Sequence, residues 1–495
     1  MNQSESKSYF FQSFGIVLLS AIIFVGIKEV LPKKIFSEKA GATKNVVVDS
    51  LMLEAVAAQE KEEKVDKLAP DTLSKEPIVF KETEGIQFPT EKFESYKGYQ
   101  YLVNFYEKLY QLETQQKGNV RIAYFGDSMT DGDMIVQDLR NNYQEVYGGR
   151  GVGFVSITSE SAGSRGTISH QFSPNWKTQS YLNVKRPIKP FGVNGHVFFT
   201  KDTIKSTWVQ YKANNTRFAT SLDNPTLFYG SSNNKRGSIS VAIDKDTVKV
   251  IKKLLPNNLL NTVAITPNSI KGLKVNFVHT DSIPFYGFNF DDGRGVHIDN
   301  FSNRGNSGLP ISTFNTNLMR AFNDKLGYDL IVLHYGTNVL NYGSYNYDWY
   351  DRSMSRVVEH LKECFPGVSI LIISTADKAS KYEMEMKTDS AVAPLSVAQK
   401  KYAIKTGSSF VNLYTLMGGD GSMVKWVDEQ PAMANKDYTH FNFRGAKKVA
   451  GMIYNQLNEG YIEYKELRKK KQAAIIAVEK KNDTIHPKRD STHVE

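Results

Sequence analysis

The chain has 495 residues, a formal net charge of +10, and 40% apolar and 12% aromatic residues, a composition that predicts a folded protein with a large core. The lysines are scattered along the chain instead of gathered in one stripe, which argues against nucleic-acid binding. The single cysteine, Cys364, excludes internal disulfides and metal sites built on several thiolates, and we expect it to be a small buried apolar residue.

Residues 9–27 form an uncharged apolar run that is just long enough to span a bilayer as a helix. A cleaved signal peptide and a buried soluble helix are the alternatives, but no Ala-x-Ala site follows the run. By the positive-inside rule, the lysines at 28, 33 and 34 favour a cytoplasmic location for the C-terminal side of the run. This rule weakens when a large domain follows. We expect a single membrane anchor.

The segments on either side of position 86 differ in composition. Residues 35–85 are mostly polar and charged, which is typical of a linker that is helical only in part. From 93 to 112, aromatic and leucine residues recur at helical spacing and predict a helix that packs on the core. We therefore place the start of the folded domain near Ile86.

An apolar run, Val120 to Phe125, predicts a buried strand that ends at Gly126-Asp127-Ser128, before a helical pattern begins near Met134. Ser128 is then expected on a strand-to-helix turn, near the positive end of the helix. A serine in such a turn can act as a nucleophile, and its own N–H can help hold an oxyanion. Asp127 is expected to support the turn.

Glycines recur between residues 147 and 154, but without the order or the Gly-Lys-Ser/Thr ending of a phosphate-binding loop, so we expect a flexible loop beside the site. Residues 170–295 then contain short runs of β-branched and aromatic residues between Asn, Asp, Gly and Pro turns. This pattern predicts an inserted all-β domain. Its aromatic residues, such as Trp176, Trp208 and Tyr211, either stack on sugar rings or belong to the core.

After residue 295, strands alternate with helices, which indicates a parallel sheet covered on both faces. The expected strands are 329–335, 369–374 and 410–413, and the expected helices lie near 351–364, 396–406 and 445–457. Beyond Tyr464 the chain is highly charged and is expected to end as a frayed helix and a disordered tail.

Four short blocks occur in a fixed order: Gly126-Asp127-Ser128, Gly305, Gly336-Thr337-Asn338 and Asp437-x-x-His440. In this order they resemble the four blocks of the SGNH (GDSL) hydrolase family, which supply serine, glycine, asparagine and histidine. Each block alone is weak evidence, whereas four in order are strong evidence. The resemblance covers roughly residues 90–460 and implies an SGNH-type, flavodoxin-like, three-layer α/β/α fold.

The resemblance also implies roles for these residues. Ser128 would attack an ester carbonyl, and His440 would take the serine proton and return it to the leaving alcohol. The N–H groups of Ser128 and Gly305 and the side-chain amide of Asn338 would form the oxyanion hole. Asp437 would either orient the imidazole, completing a triad, or only cap the helix that begins near His440.

Residues 416–423 and Trp426, together with the insert at 170–295, look like the branch that contains peptidoglycan and polysaccharide O-acetylesterases. Met129-Thr130 replaces the more usual histidine or leucine after the nucleophile, which leaves the detailed substrate open. The branch implies an acetylated cell-envelope polysaccharide as substrate, with no cofactor and no metal. An O-acetyltransferase with a membrane acyltransferase partner, or a non-catalytic glycan-binding protein, are the alternatives.

Since a cell-envelope substrate lies outside the cytoplasm, we expect the catalytic part to be extracytoplasmic. The expected organisation of the chain is a membrane anchor at 1–34, a linker at 35–85, the first part of the hydrolase domain at 86–169, the inserted β-rich domain at 170–295, the second part of the hydrolase domain at 296–462 and a charged tail at 463–495.

Overall fold

The computed structural model describes residues 14–15, 18–20, 49–62, 76–201, 206–244, 249–342 and 346–485. The chain divides into two units, residues 1–46 and 47–495. In the first unit the described residues are helical, and Phe14, Leu18 and Leu19 are exposed. Most of the expected anchor, 9–27, lies outside the described residues, and among those described no helix is both long and apolar enough to cross a membrane.

The second unit contains helices of very different length. The α-helices are α1 (Ser50–Glu62), α2 (Val103–Gln115), α3 (Val136–Tyr147), α4 (Thr316–Leu326), α5 (Asp348–Cys364), α6 (Val392–Lys405), α7 (Leu413–Met417), α8 (Ser422–Asp428) and α9 (Phe443–Ile485). Short 3₁₀ turns lie at Tyr99–Leu102, Asp131–Asp133, Ala162–Ser164 and Leu309–Thr313.

The strands of the second unit are β1 (Asn119–Gly126), β2 (Gly151–Ser156), β3 (Ile168–Phe172), β4 (Trp176–Ser180), β5 (His196–Thr200), β6 (Thr207–Ala213), β7 (Thr226–Gly230), β8 (Ser238–Ile243), β9 (Val250–Lys253), β10 (Leu260–Ala264), β11 (Gly272–Val278), β12 (Phe285–Asp291), β13 (Gly295–Asn300), β14 (Leu330–His334), β15 (Ser369–Ile373), β16 (Ala379–Tyr382), β17 (Glu385–Thr388) and β18 (Ser409–Val411).

Five of these strands form a parallel sheet in the order β13-β1-β14-β15-β18. Numbered along the chain within this sheet, the order is 2-1-3-4-5, which is the flavodoxin-like order. All residues of β14 and β15 are buried, and because successive side chains point to opposite faces, both faces of the sheet are covered. Cys364, at the end of α5, is buried as expected.

The pairing of β1 fixes where the loops of the site meet. Tyr124 is opposite Asn300 of β13, and Gly126 is opposite His334 of β14. Three chain segments therefore leave the same edge of the sheet side by side. The strand order reverses at β1, and in open parallel sheets ligands bind in the crevice at such a reversal.

Strands β2 to β12 form two antiparallel sheets, one in the order β10-β7-β12-β5-β4 with β2 added against β12, and one in the order β3-β6-β11-β8-β9. The β-structure thus begins at Gly151, earlier than the expected boundary at 170, and the expected flexible loop is partly strand β2. A Cβ atom on Gly151 would lie 2.2 Å from the carbonyl oxygen of Phe290, and one on Gly153 would lie 2.1 Å from Oδ1 of Asp299. These glycines serve close packing rather than flexibility.

The antiparallel strands share apolar contacts with the helices around the parallel sheet. The Phe228 ring of β7 stacks on Phe322 of α4, with ring centroids 5.9 Å apart, and Tyr286 of β12 meets the same ring edge-on. Trp176 and Tyr211 are buried, which supports their interpretation as core residues. The Trp208 ring is only partly buried, with the ammonium of Lys274 4.5 Å from its centroid.

Two segments inside the expected linker and the expected tail are helical and contact the core. Residues 50–62, inside the expected linker, form α1, and Met52 of this helix is buried in the main core. Helix α9 continues through the expected tail to Ile485. Its extension is held by Tyr464, which is buried, and by Arg468, whose guanidinium pairs with Glu107 of α2 at 2.9 Å.

Buried charges join the parallel sheet to the antiparallel strands. The Arg121 guanidinium donates to both carboxylate oxygens of Asp299, at 2.8 and 2.9 Å, and to Asp291 and Asn289, both at 2.6 Å. The Tyr328 hydroxyl also donates to Asp299, at 2.7 Å. Burial alone would raise the pKa of Asp291, but the nearby guanidinium outweighs it and lowers that pKa to about 2. Both aspartates bond directly to this guanidinium.

Replacing Arg121 with methionine should lower the free energy of unfolding by about 3–5 kcal/mol, because two buried carboxylates lose their cation. Arg150→Met is the matched control, since the Arg150 side chain is 51% exposed and lies 3.7 Å from Asp292. That change should cost less than about 1 kcal/mol. Equilibrium unfolding in urea measures both values, and equal losses for the two variants would contradict the assigned role of the cluster.

Candidate active site

Ser128 lies in the turn after β1, as the sequence predicts. Oδ1 of Asp127 accepts a hydrogen bond from the N–H of Met129 at 2.9 Å, and the Asp127 carbonyl accepts from the N–H of Asp131 at 3.1 Å. A Cβ on Gly126 would meet Oγ1 of Thr130 at 2.1 Å, so the residue before the turn has no room for a side chain. The turn is thereby held tightly and leaves Ser128 partly exposed.

The Ser128 hydroxyl faces an imidazole. Its Oγ lies 2.9 Å from Nε2 of His440, in the loop between α8 and α9. Backbone hydrogen bonds fix this loop: the N–H of Asn435 donates to the His440 carbonyl at 2.8 Å, and the N–H of Ala379 donates to the Tyr438 carbonyl at 3.0 Å. Residues 312 positions apart in the chain thus form a hydroxyl–imidazole pair suited to proton transfer.

Asp437 contacts His440 in two ways. Its Oδ2 lies 2.8 Å from Nδ1 of the ring, and its Oδ1 accepts from the backbone N–H groups of Thr439 and His440 at 3.0 and 2.9 Å. Desolvation would raise the pKa of Asp437, but the hydrogen bonds from His440 outweigh it and lower the pKa below its usual value. The geometry fits the orienting interpretation. The capping interpretation is wrong, because α9 begins only at Phe443 and Oδ1 of Asn442 accepts from the N–H groups of its first turn.

Gly305 and Asn338 lie in loops that leave the same sheet edge. Gly305 follows β13 with φ of 77°, a backbone conformation that favours glycine. Nδ2 of Asn338 donates to the carbonyl of Asn306 at 3.1 Å, so the loops after β13 and β14 are joined. The structure therefore brings Ser128, Asp437 and His440 together by direct contacts, with Gly305 and Asn338 in loops at the same edge of the sheet.

Two further titratable residues lie behind the turn. Burial raises the pKa of Asp127 to about 6, with the Met129 N–H and the nearby His440 acting in the opposite direction. His334 is buried, its Nδ1 lies 2.8 Å from the Tyr124 hydroxyl, and burial lowers its pKa to about 3. His334 is therefore neutral near pH 7 and belongs to the core.

A polar cavity of about 340 Å³ lies beside the turn. Its lining includes Asp131, Asn303 and Arg304, together with hydroxyl and amide side chains from the antiparallel strands and their loops. Nε of Arg304 donates to Asp131 at 2.6 Å, and the hydroxyl of Ser161 donates to the same carboxylate at 2.5 Å. This link between the nucleophile turn and the Gly305 loop was missed by sequence reasoning, since no motif marks residues so far apart.

The fold is also found in a solved structure of an esterase. A solved structure of a peptidoglycan O-acetylesterase matches with a TM-score of 0.59 and 20% sequence identity, covering 73% of this chain and 96% of that one. The two proteins share a fold. The match confirms, at the level of the fold, the resemblance drawn from the four sequence blocks.

Other comparisons carry less weight. A family two carbohydrate esterase from Cellvibrio japonicus matches at 11% identity over 60% of this chain and 99% of that one, with a TM-score of 0.24. An acetyl xylan esterase matches at 14% identity over 32% of this chain and 80% of that one, also with a TM-score of 0.24. At these TM-scores the two matches do not establish a shared fold. No protein-family model matches the chain, and neither does any curated protein.

Among the described residues, no group of three or more His, Cys, Asp or Glu side chains is arranged to hold a metal ion. The contacts at Ser128 instead form a relay from a carboxylate to an imidazole to a hydroxyl. Such a relay can raise the nucleophilicity of the hydroxyl by removing its proton as it attacks.

Asp437→Asn separates the two contacts of Asp437. The amide oxygen can still accept the backbone N–H groups, whereas an NH₂ facing Nδ1 favours the wrong tautomer of His440. We expect kcat on a soluble acetyl ester to fall about 10²–10⁴-fold while the melting temperature stays close to that of the wild type.

Asp420→Asn is the control, because Asp420 is an exposed carboxylate whose side chain bonds to Tyr414. It should retain wild-type kcat. A wild-type rate in the Asp437→Asn variant would instead show that Asp437 serves only to hold the backbone of its loop.

Proposed function

We propose that this protein is a serine esterase that removes O-acetyl groups from a cell-envelope polysaccharide such as peptidoglycan. The observation that carries the proposal is the continuous hydrogen-bonded series from Asp437 through His440 to Ser128. The shared fold with a peptidoglycan O-acetylesterase and the polar cavity lined by Asp131 and Arg304 support the choice of substrate class.

In the proposed mechanism, Oγ of Ser128 attacks the acetyl carbonyl while Nε2 of His440 takes the hydroxyl proton. The negative oxygen of the tetrahedral intermediate is held by the N–H groups of Ser128 and Gly305 and by the Asn338 amide. The intermediate collapses as the C–O bond to the sugar breaks, and His440 returns the proton to the sugar oxygen. Water then attacks the acyl-serine with His440 as base. The bond between the acyl carbon and Oγ of Ser128 breaks, His440 returns the proton to Oγ, and acetate leaves.

The membrane anchor and an extracytoplasmic location are also part of the proposal. The anchor rests on the apolar run at 9–27, which is long enough to span a bilayer and is not followed by an Ala-x-Ala site. The extracytoplasmic location rests on the expected location of the substrate. Accessibility of the catalytic part to protease in intact cells and in spheroplasts tests both.

Ser128→Ala should abolish acetate release from a chromogenic acetyl ester, by at least about a thousandfold, because the acyl-enzyme can no longer form. Ser355→Ala is the control: this serine lies on α5, where its hydroxyl bonds to the carbonyl of Asp351 at 2.8 Å. A fluorophosphonate probe should label the wild type at Ser128 and leave the alanine variant unlabelled.

Full activity in the Ser128→Ala variant would overturn the esterase assignment. Absence of both labelling and activity in the wild type would favour the alternative of a non-catalytic glycan-binding protein.

An O-acetyltransferase would use the same residues, with a sugar hydroxyl in place of water and a membrane acyltransferase as the source of acetyl groups. We expect hydrolysis: isolated acetylated envelope glycan should lose acetyl groups whether or not an activated acetyl ester is supplied. Mass spectrometry of the glycan measures this. A gain of acetyl groups that requires the donor would favour the transferase.

A further inference from the structure

The loop that carries Gly305 has little regular structure of its own. It runs from the end of β13 to the 3₁₀ turn at Leu309, and both Gly305 and Gly308 have positive φ, at 77° and 92°. The position of the Gly305 N–H therefore depends on side chains from elsewhere that hold the next residues of the loop, Asn306 and Ser307.

Asn306 is held by contacts from two other segments. Its Nδ2 lies 2.9 Å from the hydroxyl of Tyr181, and its carbonyl accepts from Nδ2 of Asn338 at 3.1 Å. Its Oδ1 accepts from the N–H of Gly308 at 2.9 Å, which closes the turn. Asn306 is fully buried, so these contacts are shielded from water.

Ser307 is held by a residue far away in the chain. Oδ2 of Asp49 accepts from the Ser307 N–H at 3.0 Å and also from the Ser307 hydroxyl. Oδ1 of Asp49 accepts from the N–H groups of Leu51 and Met52, both at 3.1 Å, and so caps the first turn of α1. One carboxylate, only 1% exposed, thus ties the start of α1 to the Gly305 loop.

The Asp49 carboxylate has an environment that fits an anchoring role. Within the described part of the chain its hydrogen bonds come from three backbone N–H groups and one hydroxyl. Hydrogen bonds to charged groups are stronger than those between neutral groups. Burial raises the pKa of Asp49, and these hydrogen bonds act in the opposite direction. The positive end of α1 adds to the stabilisation of the negative charge. A buried acceptor of this kind holds its donors in one geometry.

We propose that Asp49 is a positioning residue for the oxyanion hole: it fixes Ser307 and thereby the direction of the Gly305 N–H. The inference rests on the proposed function, because it assigns a purpose to the Gly305 N–H. It also makes the segment at 49–62, expected from the sequence to be linker, a working part of the catalytic unit.

Asp49→Ser separates the two contacts of the carboxylate. Serine caps helices about as well as aspartate, but it is too short to reach Ser307. We expect kcat on a soluble acetyl ester to fall about tenfold in the full-length protein with KM unchanged, because a donor acting mainly in the transition state is misdirected. Complete loss of such a donor costs about 10²–10³-fold.

Leu53→Ala is the matched control on the same helix, since Leu53 is 40% exposed and leaves both contacts of Asp49 in place. It should keep wild-type kcat. If Asp49→Ser does not fold, Ser307→Ala removes the hydroxyl contact to Asp49 but keeps the backbone contact, and should lower kcat by a smaller factor in the same direction. It also removes the hydrogen bond that the hydroxyl accepts from the N–H of Leu309 at 3.2 Å.

Hydrogen–deuterium exchange of residues 303–308 provides a readout that does not depend on activity. Asp49→Ser should raise exchange in this loop, and Leu53→Ala should not. Wild-type kcat together with unchanged exchange in Asp49→Ser would overturn the proposal. An inactive wild-type protein that a fluorophosphonate probe does not label would refute the proposed esterase activity. The exchange comparison would still test whether Asp49 holds the Gly305 loop.

Discussion

The parallel pairing of β1 with both β13 and β14 is the constraint on which the rest of the site depends. It sets Gly126 beside His334 and Tyr124 beside Asn300, so that the segments after these strands leave the sheet as neighbours. Every other contact of the site refines this arrangement. The strand register determines which loops can meet, and the hydrogen bonds between the loops determine how closely their polar groups converge.

In two carboxylates of this region, the two oxygens of one side chain bind different partners. Asp437 uses one oxygen for the ring of His440 and the other for the backbone of its own loop. Asp49 likewise uses one oxygen for its helix and the other for Ser307. In both cases a local contact fixes the carboxylate, and the fixed carboxylate then orients a more distant group. A side chain that made only the second contact would keep more of its rotamer freedom.

Much of the fold followed from the sequence because its signals are local. The strand at Ser238–Ile243 ends where its apolar alternation ends, and the one at His196–Thr200 ends where its apolar run ends. The first three blocks lie at or after strand ends, as predicted, and the fourth lies in the loop before α9. The failures involve distant partners. The glycines of β2 looked like a flexible loop because the crowding atoms of Phe290 and Asp299 are remote in sequence. Residues 49–62 looked like linker because the partners of Asp49 and Met52 lie in the folded core, which composition does not reveal.

The charged pair at the active site is exposed to solvent, whereas the charged cluster at Arg121 is buried, so added salt affects the two differently. The side chains of His440 and Asp437 are 37% and 49% exposed, whereas those of Arg121 and Asp299 are 3% and 0% exposed. Mobile ions can approach the first pair but are kept from the second. The contact of the first pair, at 2.8 Å, is shorter than the screening length of about 8 Å in 0.15 M salt but comparable with that of about 3 Å in 1 M salt, so concentrated salt is needed to weaken it. Added salt therefore acts on the electrostatics that orient the imidazole while leaving the buried cluster intact, so the two kinds of charge can be separated without any change of sequence.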